Sequence, residues 1–527
     1  HQITVGDVKA AVRKLKSAKA DVDSSLSSDH LLHACDDLYI HLSLFLNALF
    51  YHPDAGAVLS HSVLVPIPKN TKKSLNEASN YRSIAISSIV GKCLDNIIIV
   101  KHDAVLKSDD LQFGFKKHHS TTQCSYVLSE VVDFYLNGGS RVFVTLLDAS
   151  RAFDRVHYGK LFQLLIDRKM CFATVKLLLS MYTAQTLAVR WVRTISDSFS
   201  CRNGVKQGGV LSPILFSVIV DVLLCRLRSS GFGCYIGHVF VGAVSYADDV
   251  SLLAPTLSAA QRMLNVCSDF AEEFQLIFNG SKSQSLVFGS SAGPSSLTLN
   301  GTIIPFVEQA SHLGHIIGKD APQKNITNAV RDLIIRSNVL SMNYSFVHFE
   351  HLRTLFNAYC GNFYGCQFWN MSRLDNFSIS WRKCVRKVFM LSPRTHSIYL
   401  PYIVSQSAPL ITCMKRTLSF YLSLHRSTNI VVKTCMRTSA SGLSVFDENL
   451  RLVMSKLQIN YVSLNARIGT DMHVFIKKLM SIESPLSDET QSLIFTILEL
   501  CSCRSGDLSF GFNRQEIDLF LQYLCTC

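Results

Sequence analysis

The chain has 527 residues, 48% of them hydrophobic and 17% charged. This balance excludes overall disorder, and the length allows roughly two to four domains with sizeable cores. With 52 Lys+Arg against 39 Asp+Glu, the net charge of +13 favours a polyanionic partner, nucleic acid or an anionic membrane surface. Seventeen cysteines are scattered without a framework spacing, and no N-terminal signal segment is visible. Reduced thiols are therefore expected, in nucleus and cytoplasm rather than in a secreted protein. Cys501-Ser502-Cys503 and Cys525-Thr526-Cys527 leave one-residue gaps, a poor spacing for tetrahedral zinc.

In chain order, residues 1–62 read as a helical extension. Val5, Val8, Val12 and Leu15 share one helical face, and a second helix is expected from Ser28 towards Phe50, ending before Pro53. Val142 to Leu147 is a continuous apolar run of strand length that ends on Asp148. Such a run predicts a strand covered on both faces, which would hold that acid rigidly. Tyr158 to Arg168 places Leu161, Leu164 and Leu165 on one helical face, with Asp154 as its expected cap. Gly208 and Gly209 lack side chains, so backbone there can approach a nucleic-acid strand closely. Ser212-Pro213 then reads as N-cap and first residue of a helix over Ile214 to Leu224, too short and too interrupted by Asp221 to span a membrane. Val241, Ala243 and Val244 before Asp248-Asp249, with Val250, Leu252 and Leu253 after, predict a β-hairpin with the acid pair at its tip. Residues 290–296 read as a loop between strands.

Residues 319–394 read as helical and carry eleven Lys/Arg against four acids. Trp381, Val385 and Val388 supply packing on a helix whose other positions are basic, which suits a grip on a nucleic-acid backbone. Residues 401–527 read as helical, without an assigned role. No internal repeat is visible.

Asp148, Asp248 and Asp249 carry the chemistry. Neighbouring carboxylates in a partly buried place repel, and a divalent cation removes the conflict. Oxygen-only ligands suit Mg²⁺. Each acid alone would read as a turn or cap residue. Their combination points to a metal-dependent site.

The motifs around them resemble reverse transcriptases of non-LTR (LINE-type) retrotransposons. Asp148-Ala149-Ser150-Arg151-Ala152-Phe153-Asp154 is similar to the first palm motif, and Tyr246-Ala247-Asp248-Asp249 to the signature hairpin. Asn203 to Pro213 resembles the motif that holds template and incoming nucleotide. Asn80 to Ile86, and Leu111 to Phe115 followed by Ser120-Thr121-Thr122, resemble the fingers motifs. The likeness covers about residues 1–400.

The resemblance implies an α+β right-hand polymerase: fingers, a palm with an antiparallel sheet, a helical thumb, and helical N- and C-terminal extensions. Its segments would be 1–62 (extension), 63–140 (fingers and part of the palm), 141–310 (palm core), 311–400 (thumb) and 401–527. It implies RNA-directed DNA polymerase activity on an RNA template and a DNA primer or chromosomal target, with deoxynucleoside triphosphates as substrates and no membrane partner. Two Mg²⁺, with Mn²⁺ as a substitute, would be held by Asp148, Asp248 and Asp249 with the backbone carbonyl of Ala149. Asp148 and Asp248 would be the principal ligands.

Arg82 and Lys69 would face the triphosphate, Gln207 and Gly208 the nucleotide or template, and Lys282 would donate a proton to pyrophosphate. Phe153 has two readings: a ring beneath the sugar that excludes a ribose 2′-OH, or a core residue anchoring its turn. The sequence departs from the family at His312 before Leu313-Gly314, at His118-His119, and at Ala20 to Asp23. An endonuclease usually precedes such a polymerase, so the chain reads as a fragment. The rival reading is a decayed or co-opted nucleic-acid-binding protein without catalysis.

Overall fold

The computed structural model describes residues 2–22, 26–289, 296–344, 346–439 and 444–458. The expected loop at 290–296 and the cysteine pairs near residues 501 and 525 lie wholly or largely outside the described residues. The chain divides into two compact units. The first comprises His1–Cys124, Arg141–Ser285 and Gly289–Phe306; the second comprises Ser125–Ser140, Leu286–Phe288 and Val307–Cys527.

The first unit opens with helices α1 (Val5–Val12), α2 (Ser28–Leu32) and α3 (Asp36–Tyr51). Thr4 caps α1 through Asp7 in a capping box, and Val8, Ala11 and Val12 are its buried face. Leu15 falls beyond the end of that helix. The single helix expected over 28–50 is two, separated at His33 to Cys35. Then come strands β1 (Ser62–Pro68) and β2 (Tyr81–Ser87), helices α4 (Ile89–Lys101) and α5 (Asp103–Leu106), and α6 (Thr121–Asn137), which lies mostly in the second unit. Strand β3 (Val142–Leu147) precedes helices α7 (Tyr158–Asp167) and α8 (Phe172–Thr183). Strands β4 (Thr186–Trp191), β5 (Thr194–Ile195) and β6 (Phe199–Ser200) lead to helix α9 (Ser212–Ser229), after which come the short strands β7 (Tyr235–Ile236) and β8 (Val239–Phe240).

Two sheets organise this unit. In one, β1 pairs antiparallel with β2 and parallel with β4. The other is built on β3, β9 (Ala243–Tyr246) and β10 (Asp249–Ala254), with β10 antiparallel to both neighbours. Five of the six residues of β3 are buried, the pattern of a strand covered on both faces, as its sequence predicts. Helix α10 (Leu257–Phe274) turns Ala260, Met263, Leu264, Cys267, Phe270 and Ala271 inward at helical spacing. Strand β11 (Gln284–Phe288) follows, and Ser285 at its start hydrogen-bonds Thr145 of β3 (2.8 Å).

Two local expectations change. His157, not Asp154, caps α7, its ring nitrogen accepting from the Lys160 N–H. Asp154 instead sits in a 3₁₀ turn, Ala152–Arg155. Ser212 is already the first residue of α9, behind Leu211 as N-cap, and the helix runs to Ser229. Asp221 is tolerated inside it because Arg168 pairs with its carboxylate.

The described part of the second unit is largely helical. A short hairpin, Gln309–His312 with His315–Gly318, precedes helices Ala321–Asn343, Phe349–Cys360 and Asp375–Val388. Trp381, Val385 and Val388 are all buried there, as their spacing predicts. Helices Pro409–His425, Ile430–Ser439 and Val445–Leu457 follow. Among the described residues, no helix is long and apolar enough to cross a membrane.

Candidate active site

The register of the β3-β10-β9 sheet assembles the acids. Leu147 pairs with Val250, so the next step outward brings Asp148, just past β3, beside Asp249 at the start of β10. Asp249 pairs with Tyr246 across a two-residue turn made of Ala247 and Asp248. Ala247 has φ 60°, the left-handed conformation that a tight turn between twisted strands demands. Asp249 thus belongs to the strand, and Asp248 alone occupies the tip with Ala247.

The electrostatics report the same gathering. Loss of water raises the Asp248 carboxyl above its ordinary range, and the charge of Asp148 adds to it. Asp249 stays open to solvent at its tip. Desolvation, and then the charges of Asp248 and Asp148, nevertheless push it up to about 6. Arg82 on β2 opposes both shifts, so its guanidinium field reaches this site.

The donor set fits a hard divalent cation: carboxylates whose mutual repulsion and desolvation a cation would relieve. Among the described residues, the group of three metal-type side chains that converges within 4.8 Å is a different one, Asp109, Asp221 and Cys225. The three hairpin acids are less tightly gathered.

Asp148 is strapped down by the segment that carries Lys282. Its N–H donates to Ser283 Oγ (3.1 Å), and its carbonyl accepts from the Asn279 N–H (2.8 Å). The Ser150 N–H donates to the Ile277 carbonyl (2.9 Å), and Ala149 bridges Phe278. Lys282 lies exposed in that turn. Lys69 lies just past β1, where its ammonium donates to the Ser79 carbonyl (3.0 Å).

Residues 203–212 join this strap region to β2. The Gly204 N–H donates to the Val156 carbonyl, and the Val205 N–H to the Phe153 carbonyl, both at 2.8 Å. The Ala85 N–H donates to the Gln207 carbonyl (2.6 Å), while Gln207 Nε2 reaches Asp154 Oδ1 (3.4 Å). Gly208 has φ 110°, and a Cβ there would stand 2.8 Å from the Ala85 carbonyl oxygen, so only glycine lets the loop dock on β2. Phe153 stacks on Phe216 (centroids 4.5 Å apart, planes at 19°) and meets Phe115 edge-on (6.3 Å). It is half-buried, so it is anchored like a core residue while still offering surface outward.

Asp95 escapes motif reading. It projects from α4, accepts from the Leu211 N–H (3.3 Å), and faces Lys206 and Lys92. Burial pushes its carboxyl up to about 6. Lys206 donates in turn to the Ser60 carbonyl (3.1 Å). The available signal was an Asp95-Asn96 pair within the otherwise apolar run Cys93 to Val100.

Residues 67–317 match the family described as reverse transcriptase (RNA-dependent DNA polymerase). The matched region is a reverse transcriptase domain. Its relatives are of the non-LTR kind. Over 374 residues the chain is 26% identical to the RNA-directed DNA polymerase from mobile element jockey of Drosophila funebris, covering 65% of this chain and 37% of that protein. It is 27% identical over 269 residues to the Pol polyprotein of the type-1 retrotransposable element R2 of Popillia japonica, covering 49% and 38%. The chain thus spans well under half the length of these relatives. A solved telomerase from Candida tropicalis aligns with 80% of this chain and 68% of its own at 12% identity, with a TM-score of 0.38, too loose a likeness to argue from. The reverse transcriptase domain has the α+β right-hand polymerase fold that its motifs imply, and the family as a whole works with divalent cations.

Proposed function

We propose that this chain is an RNA-directed DNA polymerase that extends a DNA 3′-OH on an RNA template during retrotransposition. The observation that carries this reading is the meeting of Asp148 with the Asp248-Asp249 hairpin across paired strands, inside a reverse transcriptase domain. A polymer of negative charge suits a chain of net charge +13. Residues 63–140 act as fingers with part of the palm, 141–310 as palm and 311–400 as thumb, with 1–62 and 401–527 as flanking extensions. The protein works in nucleus and cytoplasm, and the primer is the 3′-OH at a nicked chromosomal target.

The reaction is an in-line attack of the primer hydroxyl on the α-phosphorus. Two Mg²⁺ ions, when bound, would supply Lewis-acid stabilisation of the negative charge that develops in this displacement. Asp148 and Asp248 would hold them, with Asp249 and the Ala149 carbonyl in support. Arg82 neutralises the triphosphate, its fork suited to bidentate phosphate contact, and Lys69 adds charge from the neighbouring β1–β2 turn. Gln207 and Gly208 shape the floor on which the base pair rests. Phe153, braced by Phe216, turns its free surface to the sugar and selects deoxynucleotides. Lys282 donates a proton to the departing pyrophosphate.

The test is primer extension by the full chain on poly(rA)/oligo(dT) with dTTP and Mg²⁺. Incorporation that disappears in Asp248→Ala is the expected result. Tight binding of the hybrid without any incorporation would favour a nucleic-acid-binding protein that has lost catalysis.

A further inference from the structure

The catalytic turn rests on one side chain outside the carboxylate set. Gln112 is fully buried. Its Oε1 accepts from the Ala247 N–H (2.9 Å) and the Gly114 N–H (2.7 Å). Its Nε2 donates to Ser245 Oγ (3.1 Å) and to the Ala247 carbonyl (3.3 Å). Those four bonds use the whole capacity of a carboxamide, two acceptor and two donor positions. They also settle which way the amide faces, because the two backbone N–H groups can only donate.

Both backbone polar groups of Ala247 thus meet Gln112, and its carbonyl accepts as well from Ser245 Oγ (3.0 Å), which Gln112 Nε2 in turn holds. This matters because Ala247 is buried and left-handed, at φ 60°. An alanine holds that conformation only where its surroundings impose it, and a buried peptide needs partners for its N–H and C=O. The main chain completes the cradle. The Phe113 N–H donates to the Ser245 carbonyl (2.7 Å), and the Ser245 N–H to the Leu111 carbonyl (2.9 Å). Gly114 is required beside them, since a Cβ there would stand 2.4 Å from the Ala247 nitrogen.

We infer that Gln112 is a positioning residue: by clamping both ends of the Ala247 peptide it aims the Asp248 carboxylate and so sets the affinity of the site for its divalent cation. The catalytic consequence rests on the polymerase reading; the effect on cation affinity does not. Gln112 touches neither nucleotide nor cation in this scheme. It acts through Ala247, the residue before Asp248, and denies the turn an alternative pucker. A ligand held by such an outer partner keeps its direction without needing to be reordered when the cation arrives.

The experiment uses the full chain with Gln112→Met, of similar length but without the amide, and Gly114→Ala, which pushes the opposite wall of the cradle against Ala247. Folding is checked by circular dichroism and thermal melting. Mn²⁺ binding is measured by electron paramagnetic resonance, and kcat and KM for dTTP on poly(rA)/oligo(dT). In the folded Gln112→Met protein, Mn²⁺ affinity and kcat should each fall roughly 10–100-fold, while KM for dTTP moves little. Gly114→Ala should change them in the same direction and serves as the test if Gln112→Met does not fold. A lower melting temperature with parental Mn²⁺ affinity and kcat in the folded variants would overturn the inference, leaving Gln112 a purely structural residue. A parent that binds Mn²⁺ but never extends a primer would sink the polymerase reading instead, and the change in Mn²⁺ affinity would still test the clamp.

Discussion

Two acidic clusters lie in the first unit, and they are built on opposite principles. Asp109 and Asp221 lie together, the Asp109 N–H donating to Asp221 Oδ1 (2.6 Å), and each carboxylate has its own arginine: Arg228 for Asp109, Arg168 for Asp221. The Lys116 ammonium caps the Ser108 and Asp109 carbonyls beside them. Charge in that cluster is closed internally, and although Cys225 completes a set of metal-type atoms, two guanidinium groups leave no call for a cation. Around Asp148, Asp248 and Asp249, among the described residues, the opposing charge that acts on Asp248 and Asp249 is that of Arg82. Tightness of clustering is therefore not what sets the proposed site apart. Its unneutralised charge is: Asp109 and Asp221 carry their counter-ions within the fold, whereas the acids of the proposed polymerase site leave room for one from solution.

Substitutions at the two clusters should separate them. At the hairpin, Asp148→Ala and Asp248→Ala are expected to abolish primer extension while the folded fraction stays parental by circular dichroism. An Asp248→Ala protein that still incorporates label would break the contrast at its centre. In the neutralised cluster, Arg168→Ala strands Asp221 without its partner in a mostly buried place. Removing one member of such a pair costs about 3–5 kcal/mol, and the partial exposure of Arg168 points to the lower end. Urea unfolding measures it, and a loss near zero would mean that this cluster, too, tolerates open charge.

A smaller effect of opposite sign is expected at the hairpin. Without divalent cation, Asp248→Asn relieves repulsion and should leave the melting temperature unchanged or raised. Added Mn²⁺ should stabilise the parent more than this variant, because a ligand that binds the native state stabilises it by mass action.

The pH dependence is subtler still. Asp249 titrates near 6 in the folded protein against 3.8 for an ordinary aspartate, so the folded state holds its proton more tightly than the unfolded one. Its contribution is most favourable below pH 3.8 and is lost as pH rises to about 6. Melting curves of the parent and Asp249→Asn, in chelator, should therefore diverge between those values, with the parent losing ground as pH rises. Parallel curves would show that Asp249 is not crowded by its neighbours.

Much of the site was legible because its chemistry is written locally. The apolar run into Asp148 and the flanks of Asp248-Asp249 each specify a strand by pattern alone, and their polar ends stand out against it. Misreadings fell where two local signals compete. His157 displaced Asp154 as cap of α7, since either ring nitrogen or carboxylate can accept from a first-turn N–H and only the path of the chain chooses. The roles of Gln112, inside the quoted Leu111 to Phe115 motif, and of Asp95 could not be read for a different reason. An amide or an acid on a fingers segment looks ordinary until its partners, Ala247 and Leu211, arrive from more than a hundred residues away.

Sequence alone determined the strand-and-hairpin pattern, the polyanion-seeking charge and the identity of the acids, because these depend on periodicity, composition and residue chemistry. Tertiary structure decided which acids face one another, which are already neutralised by arginine, and which buried amide holds the Ala247-Asp248 turn. Those are matters of register and of contacts between distant segments. A shift of one residue between β3 and β10 would have left every local pattern intact and moved Asp148 away from its partners.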